Sequence, residues 1–288
     1  MNLFLQKEKR LKKVNWLIDA DLFTEYSDEL QAAISDQGHA VTRIGVTKPG
    51  DTWEDEGCSY RNTFPTESCV VTHASIGFCD RVRREQLWTP GAYFPVEDLF
   101  CSRYFGELGE FLLNEDFVML PFCDLRRRRE FLFDCFGHDG AFFVRPDSPL
   151  KSFDGQLVRE ASFEKDLEFL AFYEFPEHEL VVVSSPKAVT TEWRFVVADR
   201  AIVAGSQYRA GGREVSVSPV CDPQARGLAE TIAAREFQVD SVWVVDVGLT
   251  SAGDLRLIEN RRFQLCLSLC VPQRGRCLGG FRGRSSRL

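Results

Sequence analysis

The chain contains the run Val242-Trp243-Val244-Val245-Asp246-Val247-Gly248-Leu249 and, five residues later, the run Leu255-Arg256-Leu257-Ile258-Glu259-Asn260. Both runs are rich in aliphatic residues, and the segment Thr250-Ser251-Ala252-Gly253-Asp254 between them has the composition of a turn. This pattern predicts an antiparallel β-hairpin. The hairpin is informative for function because each of its apolar strands also holds one carboxylate.

The two carboxylates, Asp246 and Glu259, predict a bound cation. If the turn is centred between Ala252 and Gly253, the two residues lie opposite each other, with Cβ atoms about 5 Å apart. Like charges in that arrangement destabilise a hairpin unless a cation lies between them. Carboxylate and phosphate oxygens are ligands that Mg²⁺ prefers. We therefore expect half of a magnesium–nucleotide site here, although a slip of one residue would turn one carboxylate away.

Other predicted strands also contain charged residues, which is costly unless each charge has a partner. Arg145 ends an apolar strand, and Glu192 and Arg194 lie two positions apart, hence on one face of their strand. A structural ion pair is the alternative interpretation of these last two. The loop from Arg145 to Gly155 contains Lys151, hydroxyl groups and a glycine, which suit a polyphosphate. It is not a Walker A loop, because Gly-x-x-x-x-Gly-Lys-Ser/Thr is absent.

The front of the chain predicts an α/β lobe and the back an α+β lobe. A strand at 14–18, a helix at 24–37 and a strand at 39–44 form a unit that is typical of parallel sheets. After about residue 140, strands at 191–198 and 201–208 follow each other at hairpin spacing. The expected fold class is therefore α/β followed by α+β.

The composition excludes several classes of protein. With 44% hydrophobic and 27% charged residues among 288, the chain is globular and not disordered. A net charge of −8 argues against nucleic acid, so the run Arg126–Arg129 is expected to be a solvated helix face, with an RNA-associated protein as the alternative. No apolar run approaches the roughly 18 residues of a membrane span. Without a recognisable secretory signal, the ten scattered cysteines predict free thiols in the cytoplasm.

From about residue 69 to 260 the chain resembles the ATP-grasp superfamily, specifically a clade in which arginine replaces the usual strand lysine. Six motifs carry the resemblance in this order: Leu87-Trp88-Thr89-Pro90-Gly91; Phe143-Val144-Arg145-Pro146; Lys151-Ser152-Phe153-Asp154-Gly155-Gln156; Glu192-Trp193-Arg194-Phe195-Val196-Val197; Ala204-Gly205-Ser206-Gln207-Tyr208; and Val244-Val245-Asp246-Val247 with Leu257-Ile258-Glu259-Asn260.

The resemblance implies a pre-ATP-grasp α/β lobe over residues 1–118 and an ATP-grasp domain of two α+β subdomains over residues 119–260. It also implies an ATP- and Mg²⁺-dependent ligase that activates a carboxylate as an acyl phosphate for attack by an amine, on a small-molecule or peptide substrate. By position, the implied site residues are Arg145, Lys151 and Gly155 at the phosphates; Val182, Val183, Ser184 and Lys187 near adenine; Glu192 and Arg194 in catalysis; and Asp246, Glu259 and Asn260 at the metal.

One departure from the family pattern concerns the metal motif. The family ends it as Glu-x-Asn, whereas Glu259-Asn260-Arg261 has arginine at the third place. The segment 261–288 then contains seven Arg and three Cys but no Lys, Asp or Glu. We expect this atypical tail to be an out-of-frame translation, which reading the other frames of the gene would test. A nucleotide-binding or regulatory protein that has lost catalysis is accordingly the alternative function.

Overall fold

The computed structural model describes residues 13–20, 27–45, 59–92, 97–173, 175–211, 213–218 and 221–262. These residues form two compact units, one up to residue 92 and one from residue 97 onwards. The predicted boundary at residue 118 stays a prediction. The atypical tail lies outside the described residues, apart from Arg261 and Arg262.

The first unit is built on a parallel sheet. Its four strands lie in the order β2-β1-β3-β4, and every neighbouring pair is parallel. Trp16, Ile18, Ile34 and Val71 form its core, because one face of the sheet packs against the first helix. The predicted strand–helix–strand unit is confirmed. The elements are β1 (Asn15–Asp19), α1 (Ser27–Asp36), β2 (Ala40–Ile44), β3 (Cys69–His73), α2 (Ile76–Glu85) and β4 (Thr89–Gly91).

The second unit contains two antiparallel sheets and five helices among its described residues. Its elements are α3 (Cys101–Leu108), β5 (Phe117–Pro121), α4 (Asp124–Arg127), α5 (Arg129–Phe136), β6 (Ala141–Pro146), β7 (Gln156–Arg159), α6 (Phe163–Ala171), β8 (Leu180–Ser184), β9 (Val189–Ala198), β10 (Ala201–Ala210), β11 (Arg213–Ser218), α7 (Pro223–Ala233), β12 (Val242–Thr250) and β13 (Leu255–Arg262). One sheet has the order β11-β10-β9-β12-β13 and the other β5-β8-β6-β7.

Each sheet of the second unit has its own hydrophobic core. In the five-stranded sheet, Trp193 and Phe195 of β9 pack with Trp243 of β12 and with helix α7. Helix α7 begins where Asp222 Oδ1 accepts hydrogen bonds from the backbone N–H groups of residues 224 and 225, an N-cap that precedes a proline. In the four-stranded sheet, Phe142 and Val144 pack with helix α6. The predicted meander behind a crossover-rich front is confirmed.

Within the described part of the chain, no helix has the length and apolar character that crossing a membrane requires. The arginine run from Arg126 to Arg129 lies at the surface, where its members have local partners. Arg126 pairs with Glu164 and Arg127 with Asp124, and the Arg129 guanidinium lies over the ring of Phe163. A solvated helix face, as expected from the sequence, describes this run.

Candidate active site

The hairpin of β12 and β13 places its two carboxylates opposite each other, as the sequence predicted. Asp246 pairs with Glu259. The register near the turn, where Leu249 pairs with Leu255, would by itself set Asp246 opposite Ile258. The register shifts between Asp246 and Val247, so Ile258 is an extra residue and forms a β-bulge. Because a shift of one residue exchanges the faces of a strand, the bulge brings Glu259 to the face that carries Asp246.

Strand β9 provides the partner of Asp246. Arg194 is paired with Asp246 across the two strands, and its Nε and one terminal nitrogen donate to the two carboxylate oxygens at 2.6 Å each. Both side chains are buried, with 3% and 0% of their surface exposed. Trp193 and Phe195 on either side of Arg194 face the hydrophobic core. Alternation along the strand therefore fixes Arg194 on the polar face.

Three further cations surround Glu259. Arg145, on β6 of the other sheet, lies 3.2 Å from Glu259 Oε2, and Lys151 lies 3.3 Å from Oε1. Arg261 contacts the same Oε1 and also lies 3.1 Å from Asp246 Oδ2. The structure thus brings together both predicted phosphate-binding cations, Arg194 and both predicted carboxylate ligands.

The electrostatics of this group favour a bound polyanion. Burial alone would raise the pKa of Glu259, but Arg261, Arg145 and Lys151 hold it well below its usual range. Both carboxylates are therefore ionised at neutral pH, and four cations face two anions. The positive excess, with arginines that can each bind two oxygens, suits phosphate groups.

A second polar group extends the same face along β9 and β10. Tyr208 donates a hydrogen bond of 2.5 Å to Glu192 Oε2, and Arg209 lies 2.7 Å from Glu192 Oε1. The ring of Tyr208 also lies 4.8 Å from the guanidinium carbon of Arg194. Burial raises the pKa of Tyr208, so its hydroxyl stays a donor.

Sequence reasoning missed three contributors to the site, namely Tyr208, Arg209 and Arg261. Two of them were visible as a pattern. Tyr208 follows Ser206 at a spacing of two on β10, and Arg261 follows Glu259 at the same spacing on β13, which keeps each pair on one strand face.

The remaining predicted residues lie inside or beside the four-stranded sheet. Val182 and Val183 are fully buried in two different hydrophobic clusters, because consecutive residues of β8 point to opposite faces. Ser184 is also buried, and its hydroxyl has no hydrogen-bond partner among the described residues. Lys187 pairs with Asp116 at 2.9 Å. A Cβ atom at Gly155 would lie 2.5 Å from the ring of Phe143, so packing alone requires a glycine there. Their roles toward a nucleotide stay predictions.

The predicted metal ligands do not fit a divalent cation as their side chains lie. All four oxygens of Asp246 and Glu259 accept from a cationic side chain. Asn260 pairs with Val245, so the bulge turns it to the face opposite Glu259, where both polar atoms of its amide are buried without a partner. Among the residues that the structure describes, no group of three or more His, Cys, Asp or Glu side chains could hold a metal.

Comparisons with known proteins agree with this architecture. The sequence model of the ATP-grasp domain, family 2 of the R-to-K clade, matches residues 126–270, just over half of the chain. No curated protein sequence matches. Among solved structures, D-cycloserine synthetase DcsG is similar, with a TM-score of 0.63 and 15% identity over 94% of this chain and 99% of that one.

Two further solved structures are similar in the same way. D-alanyl-alanine synthetase A from Vibrio cholerae has a TM-score of 0.60 and 16% identity, over 88% of this chain and 89% of that one. N5-carboxyaminoimidazole synthetase from Staphylococcus aureus has a TM-score of 0.56 and 10% identity, over 87% and 71%. At such identities the likeness shows the fold. Together with the family match, it shows that the chain has the ATP-grasp fold and belongs to family 2 of the R-to-K clade of ATP-grasp domains.

Proposed function

We propose that the chain is a cytoplasmic, ATP-dependent ligase that joins a carboxylate to an amine through an acyl phosphate. The observation that carries this proposal is the group of four cations around Asp246 and Glu259 in a chain of the ATP-grasp family. It is supported by structural neighbours whose names describe them as synthetases or ligases. The proposed substrates are a small molecule or peptide with a carboxylate and a second with an amine.

In the proposed reaction, an oxygen of the substrate carboxylate attacks the γ-phosphorus of ATP, the bond from that phosphorus to the bridging oxygen breaks, and ADP leaves. The amine nitrogen then attacks the acyl carbon, the carbon–oxygen bond to the phosphate breaks, and the nitrogen loses a proton. No step of this scheme is assigned to a metal ion, because Arg261 contacts both predicted metal ligands.

The chain's own residues contribute position and charge. Arg145 and Lys151 would bind phosphate oxygens, with the loop to Gly155 covering them. Arg194, which Asp246 holds in one orientation, would face the acyl phosphate beside Glu192. Phosphoryl transfer demands chiefly alignment of the reactants and neutralisation of charge on the transferred group. Fixed guanidinium groups in a buried site provide both, since they need no reorganisation when charge develops.

Calorimetry with a non-hydrolysable ATP analogue tests the nucleotide site. We expect Arg145→Gln and Lys151→Gln each to weaken binding by about tenfold or more, since each removes a hydrogen-bonded charge of about 1.5–3 kcal/mol. The partly exposed Lys151 guards against a folding defect. The matched control is Arg126→Gln, a surface arginine that pairs with Glu164. Absence of binding by the unaltered chain, or equal weakening by the control, would contradict the proposal.

Release of ADP separates a ligase from the alternative, a nucleotide-binding protein that has lost catalysis. That alternative is favoured by the arginine at position 261, where the family pattern has asparagine. A ligase releases ADP from ATP only when a suitable carboxylate and amine are both present. Nucleotide binding without ADP release across a panel of amino acids and short peptides would favour the alternative.

A further inference from the structure

Arg261 occupies a special position in the hairpin of β12 and β13. The bulge at Ile258 places Glu259 on the face of Asp246, and alternation then places Arg261 on that face too. Two carboxylates that face each other across a hairpin repel each other. Some cation must therefore accompany them, and in this chain a side chain of the same strand provides the charge.

The contacts of Arg261 are those of a bridge. Its Nε lies 3.1 Å from Asp246 Oδ2, and it also contacts Glu259 Oε1. Its side chain is 30% exposed, whereas the two carboxylates are almost fully buried. The guanidinium thus closes the pair of carboxylates on the side that solvent can reach.

The bridge leaves little room for a second cation. Arg194 takes both oxygens of Asp246, while Arg145 and Lys151 take the two oxygens of Glu259. Mg²⁺ requires oxygens at about 2.0–2.1 Å in near-octahedral geometry. Two carboxylates could adopt that geometry only if Arg261 withdrew from both.

We propose that Arg261 is a built-in cation that takes the place of a divalent metal ion between Asp246 and Glu259, so that this hairpin binds neither Mg²⁺ nor Mn²⁺ and contributes to nucleotide binding without them. The nucleotide part of this inference rests on the function proposed above. The metal part rests on the geometry of the hairpin alone. Arg261 is accordingly a positioning residue that holds two carboxylates in place.

Titration with Mn²⁺ alone, followed by the electron paramagnetic resonance signal of the free ion, tests the metal part. We expect no binding by the unaltered chain that Asp246→Asn removes. We expect Arg261→Asn, which removes the cation and offers an amide oxygen, to bind Mn²⁺ at least about tenfold more tightly. The added Asp246→Asn substitution should abolish that gain. The matched control is Arg256→Asn, which alters an arginine of the same strand that pairs with Glu115.

Two results would overturn the inference. One is binding of Mn²⁺ by the unaltered chain with the affinity of Arg261→Asn, lost on Asp246→Asn. The other is the absence of any gain in Arg261→Asn while the variant keeps the thermal unfolding transition of the unaltered chain. Arg261→Lys, which keeps a charge at this position, should bind Mn²⁺ no better than the unaltered chain, and equal gains in Arg261→Lys and Arg261→Asn would also overturn it.

The affinity for a non-hydrolysable ATP analogue, measured in EDTA and in excess Mg²⁺, tests the nucleotide part. We expect the two affinities to agree within about threefold for the unaltered chain and to differ by about tenfold or more for Arg261→Asn. Equal dependence on Mg²⁺ in both forms would overturn this part. Absence of nucleotide binding by every form in both solutions would instead contradict the proposed function, and the Mn²⁺ titration would still decide the role of Arg261.

Discussion

Arg194 and Asp246 depend on each other because both are buried and each neutralises the other through two hydrogen bonds. We expect Asp246→Leu to lower the free energy of unfolding by about 3–5 kcal/mol, since it leaves the guanidinium of Arg194 buried without its main counter-charge. The double variant Arg194→Met with Asp246→Leu should regain much of that loss, because two apolar side chains replace the pair. Urea denaturation of both variants measures this difference.

The control for this pair is Arg226→Met, which removes an exposed arginine that pairs with Glu230. Exposed ion pairs contribute about 1 kcal/mol or less, so its effect should be small. Equal losses in the single and double variants would show that the Arg194–Asp246 pair is not the source of the instability.

At the scale of single residues, the sequence was most informative where a charge interrupts an apolar strand. Arg145, Arg194, Asp246 and Glu259 were all identified in this way, and the structure brings all four together. The sequence did not indicate the bulge at Ile258, since an extra residue in one strand changes no local pattern of polarity. The expected pairing of the two carboxylates was therefore right, although the turn alone would not have produced it.

At the scale of elements, β9 and β10 approach each other closely at one glycine. Gly205 pairs directly with Phe195, and a Cβ atom at position 205 would lie 2.5 Å from that ring and 3.1 Å from Cys221 Sγ. Phe195 is fully buried, so its ring has little freedom to move. We expect Gly205→Ala to lower the free energy of unfolding by about 1–3 kcal/mol through overpacking.

A compensating change distinguishes overpacking from a backbone effect. Adding Phe195→Leu to Gly205→Ala should recover part of the loss, because the smaller side chain leaves space for the new methyl group. The matched control is Gly227→Ala in helix α7, where a Cβ atom meets nothing within 4 Å. That variant should be neutral or stabilising, since alanine has the higher helix propensity. Strictly additive losses in the double variant would argue against overpacking. Urea denaturation of the three variants measures each effect.

The sequence predicted the class of most elements but missed several short strands. Thr89–Gly91 was expected to end a helix, whereas it forms the edge strand β4 of the parallel sheet. The loop after Arg145 was expected to run to Gly155, and the residues that follow it form β7, which pairs with β6. Strands of three or four residues have too few positions to display a period of two, and their pairing partners decide their conformation.

At the scale of the whole molecule, the stability should depend on pH through a buried histidine of the first unit. Burial lowers the pKa of His73 from 6.5 to about 4. Between these two values the unfolded chain binds a proton that the folded chain does not, so stability is lost as the pH falls below 6.5. At pH 5 this loss amounts to about 2 kcal/mol. His73→Gln cannot take up that proton.

The measurement is urea denaturation of the unaltered chain and of His73→Gln at pH 7 and pH 5. The unaltered chain should lose about 2 kcal/mol more than the variant between the two values. Carboxylates elsewhere contribute equally to both proteins and cancel in the comparison. Parallel losses in the two proteins would mean that His73 is protonated in the folded state.

The division into a parallel front and an antiparallel back followed from the order of strands and helices in the sequence. The order of strands within the five-stranded sheet did not, because β9 lies beside β12 and not only beside its hairpin partner β10. That pairing joins segments separated by a strand and a helix. Its energy comes from side chains such as Phe195 and Val245, which are buried only when the two hairpins meet.

The same arrangement sets the order in which the second unit can fold. The hairpin of β9 and β10 and the hairpin of β12 and β13 close short loops, which is fast. The contact of β9 with β12 closes a much longer loop, whose entropy must be overcome before any contact forms. Arg194 is on the first hairpin and Asp246 on the second. The buried ion pair can therefore form only at that late step, and until then both charges remain hydrated.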